Sequence, residues 1–268
     1  MLNLPRITIV TPSYNQSQFL EDTIRSVLTQ NYPNVEYFVI DGGSTDGSVE
    51  IIKKYERWLT HWESVPDKGQ ADAILKGFAR STGDIVGWLN SDDLYLPGCL
   101  ESVGTYYAEH PKTECVVGGC VFIATNGSPF RDRLGLPRCN LGSNATFSSL
   151  HLAGCGFMQP SSFFRRNAFL EVRGFDASLV HCFDLDLYIR LAARKPFGRI
   201  REFLACFRLH PQSKTSTLEN VRFVEDAMLF KRHPLPPCAH RLRRLLRTYY
   251  RTRWALSHRM LQLALLSG

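Results

Sequence analysis

The sequence predicts an α/β fold, a sheet with helices on its faces, and three observations carry that prediction. Short runs rich in Ile and Val alternate with amphipathic stretches from residue 6 onward, as in βαβ units. Two of these runs end in glycine- or acid-bearing turns, Asp41-Gly42-Gly43-Ser44 and Asn90-Ser91-Asp92-Asp93, where open α/β sheets hold ligands. A chain of 268 residues, 44% hydrophobic and 21% charged, has enough apolar residues for one α/β body plus an appendage.

Taken in order, Arg6–Thr11 reads as a buried parallel strand. Pro12 to Gln16 is a polar turn before a helix burying Phe19, Ile24, Val27 and Leu28, which Asn31-Tyr32-Pro33-Asn34 ends. Val35–Ile40 is the second strand, the glycine-rich stretch 41–47 a loop, and Val49, Ile51 and Ile52 open a helix. Thr60–Val65 is a short strand. Ala71–Arg80 is a helix buried through Ala71, Ile74, Leu75 and Phe78, with Gly83 as a left-handed cap. Ile85–Leu89 is the strand entering the paired aspartates, and Pro97 starts a helix to about His110. Val116–Ala124 is a strand, and Thr125 to Phe147 a long surface segment carrying Arg131, Arg133 and Arg138. Gln159–Phe164 is strand-like, and Arg166–Val172 and Asp184–Ala193 are helices. Ile200–Leu209 is the last strand, followed by helices at Thr215–Phe230 and Arg241–Leu266.

Adjacent carboxylates at the end of an apolar strand repel, and a divalent cation offsets that repulsion. With the acidic end at Asp41, this implies a hard metal and a phosphorylated ligand at the sheet edge, hence an enzyme. The alternative is that Asp92 and Asp93 only cap a turn. The eight cysteines form no C-x-x-C pair and read as reduced small hydrophobes in a cytosolic protein. The first residues show no signal-peptide pattern, and no apolar run reaches the length of a membrane span.

The net charge of +7 is concentrated in the tail. Nine Lys/Arg and no acid lie between Lys231 and Gly268, leaving 23 basic against 25 acidic residues in the rest, which argues against nucleic-acid binding by the body. On a helical wheel of 241–266, Leu242, Leu245, Tyr249 and Leu256 face one side, and Arg243, Arg244, Arg247 and Arg251 another. Such a helix reads as an anionic membrane-surface element, or as a helix packed on the body or in a homodimer.

Thr8-Ile9-Val10-Thr11-Pro12-Ser13-Tyr14-Asn15, Asp41 to Gly47, Asp67-Lys68-Gly69-Gln70-Ala71-Asp72 and Gly83 to Asp93 together resemble the donor half of glycosyltransferase family 2 enzymes. The likeness runs over roughly 6–215. It implies a GT-A type, Rossmann-like mixed sheet flanked by helices, divided into a nucleotide-sugar half (6–110) and an acceptor half (111–215) within a catalytic domain 1–215. A basic helical extension, 216–268, follows. The implied activity is inverting transfer of a sugar from a nucleotide sugar, UDP-linked by default, to a glycan or lipid-linked saccharide in surface polysaccharide synthesis. The implied location is the cytoplasmic face of the membrane.

The resemblance assigns Asp41 a base contact and places Thr11, Pro12 and Tyr14 around the nucleoside. It gives Asp93 the direct contact to Mn2+ or Mg2+, Asp92 a place near the ribose or a metal-bound water, and His210 a further ligand position, better suited to Mn2+. Lys68, Gly69, Gln70, Asp72 and Gln159 would meet the donor. Arg208, Ser213 and Lys214 surround His210 and would face the diphosphate or brace the body. Asp184 is the candidate general base and Asp186 its competitor; the family's usual Glu before the base is Phe183 here. Acceptor choice is expected in 125–147. A nucleotidyltransferase acting on a sugar phosphate would need a glycine- and lysine-rich triphosphate loop, which Thr11–Gln16 is not. A non-catalytic sugar-binding protein would not need Asp41, Asp92, Asp93 and Asp184 together.

Overall fold

The computed structural model describes residues 3–131, 139–142, 145–153, 155–176 and 178–234. The strands are β1 (Ile7–Ser13), β2 (Val35–Asp41), β3 (His61–Ser64), β4 (Ile85–Trp88), β5 (Leu94–Tyr95), β6 (Cys115–Ile123), β7 (Cys139–Asn140), β8 (Ser162–Arg165) and β9 (Gly198–Arg208). The helices are α1 (Ser17–Leu28), α2 (Ser48–Tyr55), α3 (Gln70–Arg80), α4 (Cys99–Glu109), α5 (Phe147–Ala153), α6 (Arg166–Glu171), α7 (Phe183–Arg194), α8 (Lys214–Thr217) and α9 (Glu219–Arg232).

One mixed sheet runs β3-β2-β1-β4-β8-β6-β9-β5, with β7 beside β6. β1 to β4 are parallel, and β8 enters antiparallel to both β4 and β6. The strand order therefore reverses at β1, the position at which such sheets open a crevice. Each face carries its own core. Leu20, Ile24, Leu100 and Val103 of α1 and α4 cover one face. Ile74, Phe78, Leu187 and Leu191 of α3 and α7 cover the other, joined by Leu229 of α9, so the helix beyond residue 215 shares the body's core.

Four local expectations are corrected. Gly83 is not a left-handed cap: α3 ends through Ser81 in extended conformation. Gly83 is needed because a Cβ there would lie 2.4 Å from the Thr8 hydroxyl and 2.8 Å from its backbone nitrogen. The helix expected from Pro97 begins at Cys99, since Gly98 turns the chain at φ 81°. Gln159–Ser161 is a 3-10 turn before β8 rather than strand, and the helix expected at Thr215–Phe230 is divided into α8 and α9. Arg133, Arg138 and the helix expected at 241–266 lie outside the described residues. Seven cysteines are described, all unpaired and five of them buried.

Candidate active site

Parallel registry brings the ends of β1 and β2 level, Ser13 opposite Asp41, and so sets both following turns on one sheet edge. Thr11 and Pro12 lie inside β1 and are buried, and the Thr11 hydroxyl is 3.0 Å from that of Tyr37. Tyr14, just past the strand, is 62% exposed and presents its ring to solvent. Asp41 is fully buried: it accepts the N–H groups of Gly43 (3.1 Å) and Ser44 (2.8 Å) and the hydroxyls of Ser44 (2.5 Å) and Ser64 (2.7 Å). These bonds are those of a loop cap. Ser13, passed over in the sequence, has a buried hydroxyl with no partner among the described residues.

The 67–72 loop is closed by its own carboxylates. Asp67 accepts the Gly69 N–H (2.7 Å), and Asp72 accepts the Lys68 N–H (3.2 Å) and pairs with Lys76 (3.4 Å). Gly69 takes φ 107°, a conformation that favours glycine. The Lys68 side chain is exposed. Gln70 enters a chain of amides whose direction is fixed at both ends. Lys214, which can only donate, bonds Gln70 Oε1 (3.0 Å), and Gln70 Nε2 donates to Asn90 Oδ1 (2.6 Å). Asn90 Nδ2 donates to Gln159 Oε1 (3.1 Å), and Gln159 Nε2 ends the chain at the Trp88 carbonyl (2.8 Å).

The paired aspartates are held from two sides. The Thr23 hydroxyl of α1 bonds the carbonyls of Ser91 (2.9 Å) and Asp93 (2.8 Å). β5, directly after the turn, pairs with β9, which carries Arg208 and His210 to the same place. Arg208 is buried; its Nε donates to the Asp92 carbonyl (2.8 Å) and its Nη1 to the Thr125 carbonyl (2.9 Å), so it braces the turn.

The two aspartates differ. Asp93, expected as the direct metal contact, is 1% exposed and accepts the Arg208 N–H (2.9 Å). Burial first, then the charge of Asp92, raises its pKa well above the usual carboxylate value. Asp92, expected nearer the ribose, has Oδ2 2.9 Å from His210 Nε2, with the His210 ring against Phe19 at 4.8 Å between centroids. The two are hydrogen-bonded to each other, at the spacing of about 3.0 Å that adjacent ligands about 2.1 Å from an octahedral ion also have, so both could turn to a shared cation without moving apart. An oxygen–imidazole pair suits Mn2+ better than Mg2+. Among the described residues no third His, Cys, Asp or Glu joins them.

On the acceptor side Asp184 stands in the first turn of α7 and is partly exposed. Desolvation raises its pKa to about 6, against the N–H of Leu185 and the charges of Lys214 and Arg222, which lower it. Asp186 is buried and tied to Arg190 (2.7 Å) and His233 (3.1 Å), which leaves Asp184 as the carboxylate with an open side. Sequence reasoning missed Glu225 of α9, whose carboxylate accepts three backbone N–H groups just before α7. A groove of about 420 Å³ between α4 and β9 contains none of these residues.

A mixed sheet whose strand order reverses at β1, with a paired aspartate turn at its strand ends, defines an open α/β fold of the kind that holds ligands at that edge. The family model described as Glycosyl transferase family 2 matches residues 8–173, and the chain belongs to that family. An uncharacterized glycosyltransferase of Mycobacterium tuberculosis is 36% identical over 96 residues, 35% of this chain and 37% of the relative. TuaG of Bacillus subtilis, named for teichuronic acid biosynthesis, is 33% identical over 128 residues, 47% of this chain and 50% of the relative. The matched part thus spans half or less of these relatives. Among solved structures, S. aureus TarS 1-349 in complex with UDP-GlcNAc aligns over 87% of this chain and 68% of its own, with TM-score 0.65 and 16% identity. The mannosyltransferase PcManGT of Pyrobaculum calidifontis, in complex with GDP-Man and Mn2+, aligns over 97% and 74%, with TM-score 0.64 and 16% identity. Both likenesses show the fold, which is of the GT-A type. Among the described residues no helix is long and apolar enough to cross a membrane.

Proposed function

We propose that this chain is a metal-dependent inverting glycosyltransferase. It would move a sugar from a nucleoside diphosphate sugar, UDP-linked by default, to a hydroxyl of a glycan or lipid-linked saccharide in surface polysaccharide synthesis. The observation that carries the reading is Lys214, whose charge acts on the desolvated Asp184 carboxylate and whose ammonium bonds Gln70 of the amide chain to Asn90, the residue that opens the turn holding the Asp92–His210 pair at 2.9 Å. The nucleotide sugars bound in the TarS and PcManGT structures support the donor class, and TuaG supports the polysaccharide setting.

In this mechanism Tyr14 offers its exposed ring to the base, while Asp41 holds the loop that the nucleoside rests against. Asp92 and His210 would hold Mn2+ or Mg2+, which supplies positive charge to the leaving diphosphate. Gln70 and Gln159, oriented by the amide chain, present the donor sugar with fixed hydrogen-bonding groups. Asp184 takes the proton of the acceptor hydroxyl at its carboxylate, and attack from the face opposite the diphosphate inverts the anomeric carbon. The basic stretch 241–266 would attach the protein to the anionic cytoplasmic face of a membrane, at about 1 kcal/mol per Lys or Arg near the surface. Co-sedimentation with anionic against neutral vesicles checks that attachment.

A thermal-shift panel of UDP, GDP and dTDP with and without Mn2+ tests the donor assignment. One diphosphate at about 100 times its Kd should stabilise the protein by about 2.7 kcal/mol, and only with metal. No shift with any diphosphate would remove the reading.

A further inference from the structure

The turn that precedes Asp184 is made of residues whose backbone groups are held by side chains from far along the chain. Val180 donates its N–H to Glu225 Oε1 (2.6 Å), and His181 (2.8 Å) and Cys182 (2.7 Å) donate theirs to Glu225 Oε2. The Val180 carbonyl accepts from Lys214 Nζ (2.7 Å), the ammonium that also bonds Gln70 in the donor half. Cys182, the N-cap residue of α7, makes no side-chain cap bond of its own. One buried carboxylate from α9 therefore accepts the three successive N–H groups that lead into α7, the last of them that of its N-cap residue. α9 itself is anchored in the core through Leu229, which is fully buried.

We propose that Glu225 is a positioning residue for sugar transfer: by gathering the three N–H groups of 180–182 it fixes the start of α7 and so the place of the Asp184 carboxylate relative to Gln70 and the aspartate turn. The proposal rests on the glycosyltransferase reading above and adds to it a residue far outside the matched family segment, 8–173. The three bonds define a graded series. Glu225→Gln can keep the two acceptances now made by Oε2 while turning its amide nitrogen toward the Val180 N–H. Glu225→Ala keeps none.

The test uses the full chain. Nucleoside diphosphate release is measured with water standing in for the acceptor hydroxyl, so that the sugar leaves as free sugar, using whichever of UDP-GlcNAc, UDP-Glc, UDP-Gal, GDP-Man and dTDP-rhamnose the wild-type chain turns over fastest. Each rate is divided by the concentration of nucleotide-binding sites, counted by calorimetry with the matching diphosphate and Mn2+, so unfolded protein does not enter. The expected result is a kcat lower by about tenfold in Glu225→Gln and about 100-fold in Glu225→Ala, the scale of a misplacement of about 1 Å, with donor KM and diphosphate affinity within twofold of wild type. If Glu225→Ala yields no binding sites, Glu225→Gln decides alone. A per-site kcat equal to wild type, or a loss of donor affinity as large as the loss of kcat, overturns the proposal. Wild-type protein that releases no diphosphate from any of the five donors overturns the underlying reading instead.

Discussion

On the donor side, Asp41 and Asp46 each accept two backbone N–H groups, those of Gly43 and Ser44 and those of Ser17 and Ser48. On the acceptor side, Asp184 accepts a single neighbouring N–H and is dominated by desolvation. The same side chain thus does opposite work in the two halves. Asp46 is the clearest donor-side case: burial pushes its carboxyl up, but bonds from Ser48 and Ser17 outweigh that and bring it down to about 2. Asp184 is pushed up to about 6. A carboxylate saturated by N–H groups is a poor base and a good clasp. One left short of partners is a better base and a poorer contributor to stability.

The largest effect that sharpens this contrast is at Asp184. Asp184→Asn should lower kcat by about 10²–10⁴-fold, the range for loss of a general base, with diphosphate affinity retained. In wild type, kcat/KM should fall about tenfold per pH unit below about 6, because the base must be ionised to act. The stability sign runs the other way. The folded-state pKa is raised, so the folded chain binds more protons than the unfolded chain between about 4 and 6, and stability declines as pH rises through that window. Asp184→Asn should therefore melt higher than wild type at pH 8, a gain that narrows toward pH 4. A variant no more stable than wild type at pH 8 would break the contrast at its acceptor end.

Next in size is the metal pair. Asp92→Asn and His210→Ala should each weaken Mn2+-dependent diphosphate binding by about tenfold or more, in the range found when a ligand sphere is disturbed. Asp93→Asn should act mainly on stability, since its carboxylate faces the Arg208 N–H. Titration of each variant with the diphosphate and Mn2+ reads both outcomes. Equal loss of metal-dependent binding in Asp92→Asn and Asp93→Asn would return the direct contact to a shared role.

That last distinction shows where the sequence stops being readable. The alternation of apolar runs with helical stretches places β1 to β4 to within a residue or two, because each side chain's burial is local information, but passes over the two-residue β5. The family motifs likewise locate the aspartate turn. Which of two adjacent aspartates turns outward depends on β5 pairing with β9, more than a hundred residues away. The entry of β8 antiparallel between β4 and β6 is equally non-local. Gly83 could be a helix cap or a close-approach site, and only the Thr8 atoms pressed against it decide. Glu225 lies in a charged helix beside Arg222 and Asp226 and leaves no trace as a cap, since its partners are backbone N–H groups without sequence identity.

The smallest effect lies at the opposite end of the comparison, at Asp46. Its oxygens join the N–H of Ser17 (2.8 Å) to the N–H (3.1 Å) and hydroxyl (2.6 Å) of Ser48, so it ties the start of α1 to the start of α2. Asp46→Ala should cost about 1 kcal/mol at pH 7, the size of a lost helix cap. That is less than the pKa displacement alone would imply, because the group is exposed and water screens its charge. The folded-state pKa is depressed, so the stabilisation is present above the unfolded value near 4 and lost as pH falls toward about 2. The melting-temperature gap between wild type and variant should then be about 2–4 °C at pH 7 and close progressively below pH 4. A gap that stays constant across that range would mean the Asp46 bonds hold equally well without the charge. The donor-side clasp would then be a matter of geometry alone, and the electrostatic half of the contrast with Asp184 would fall.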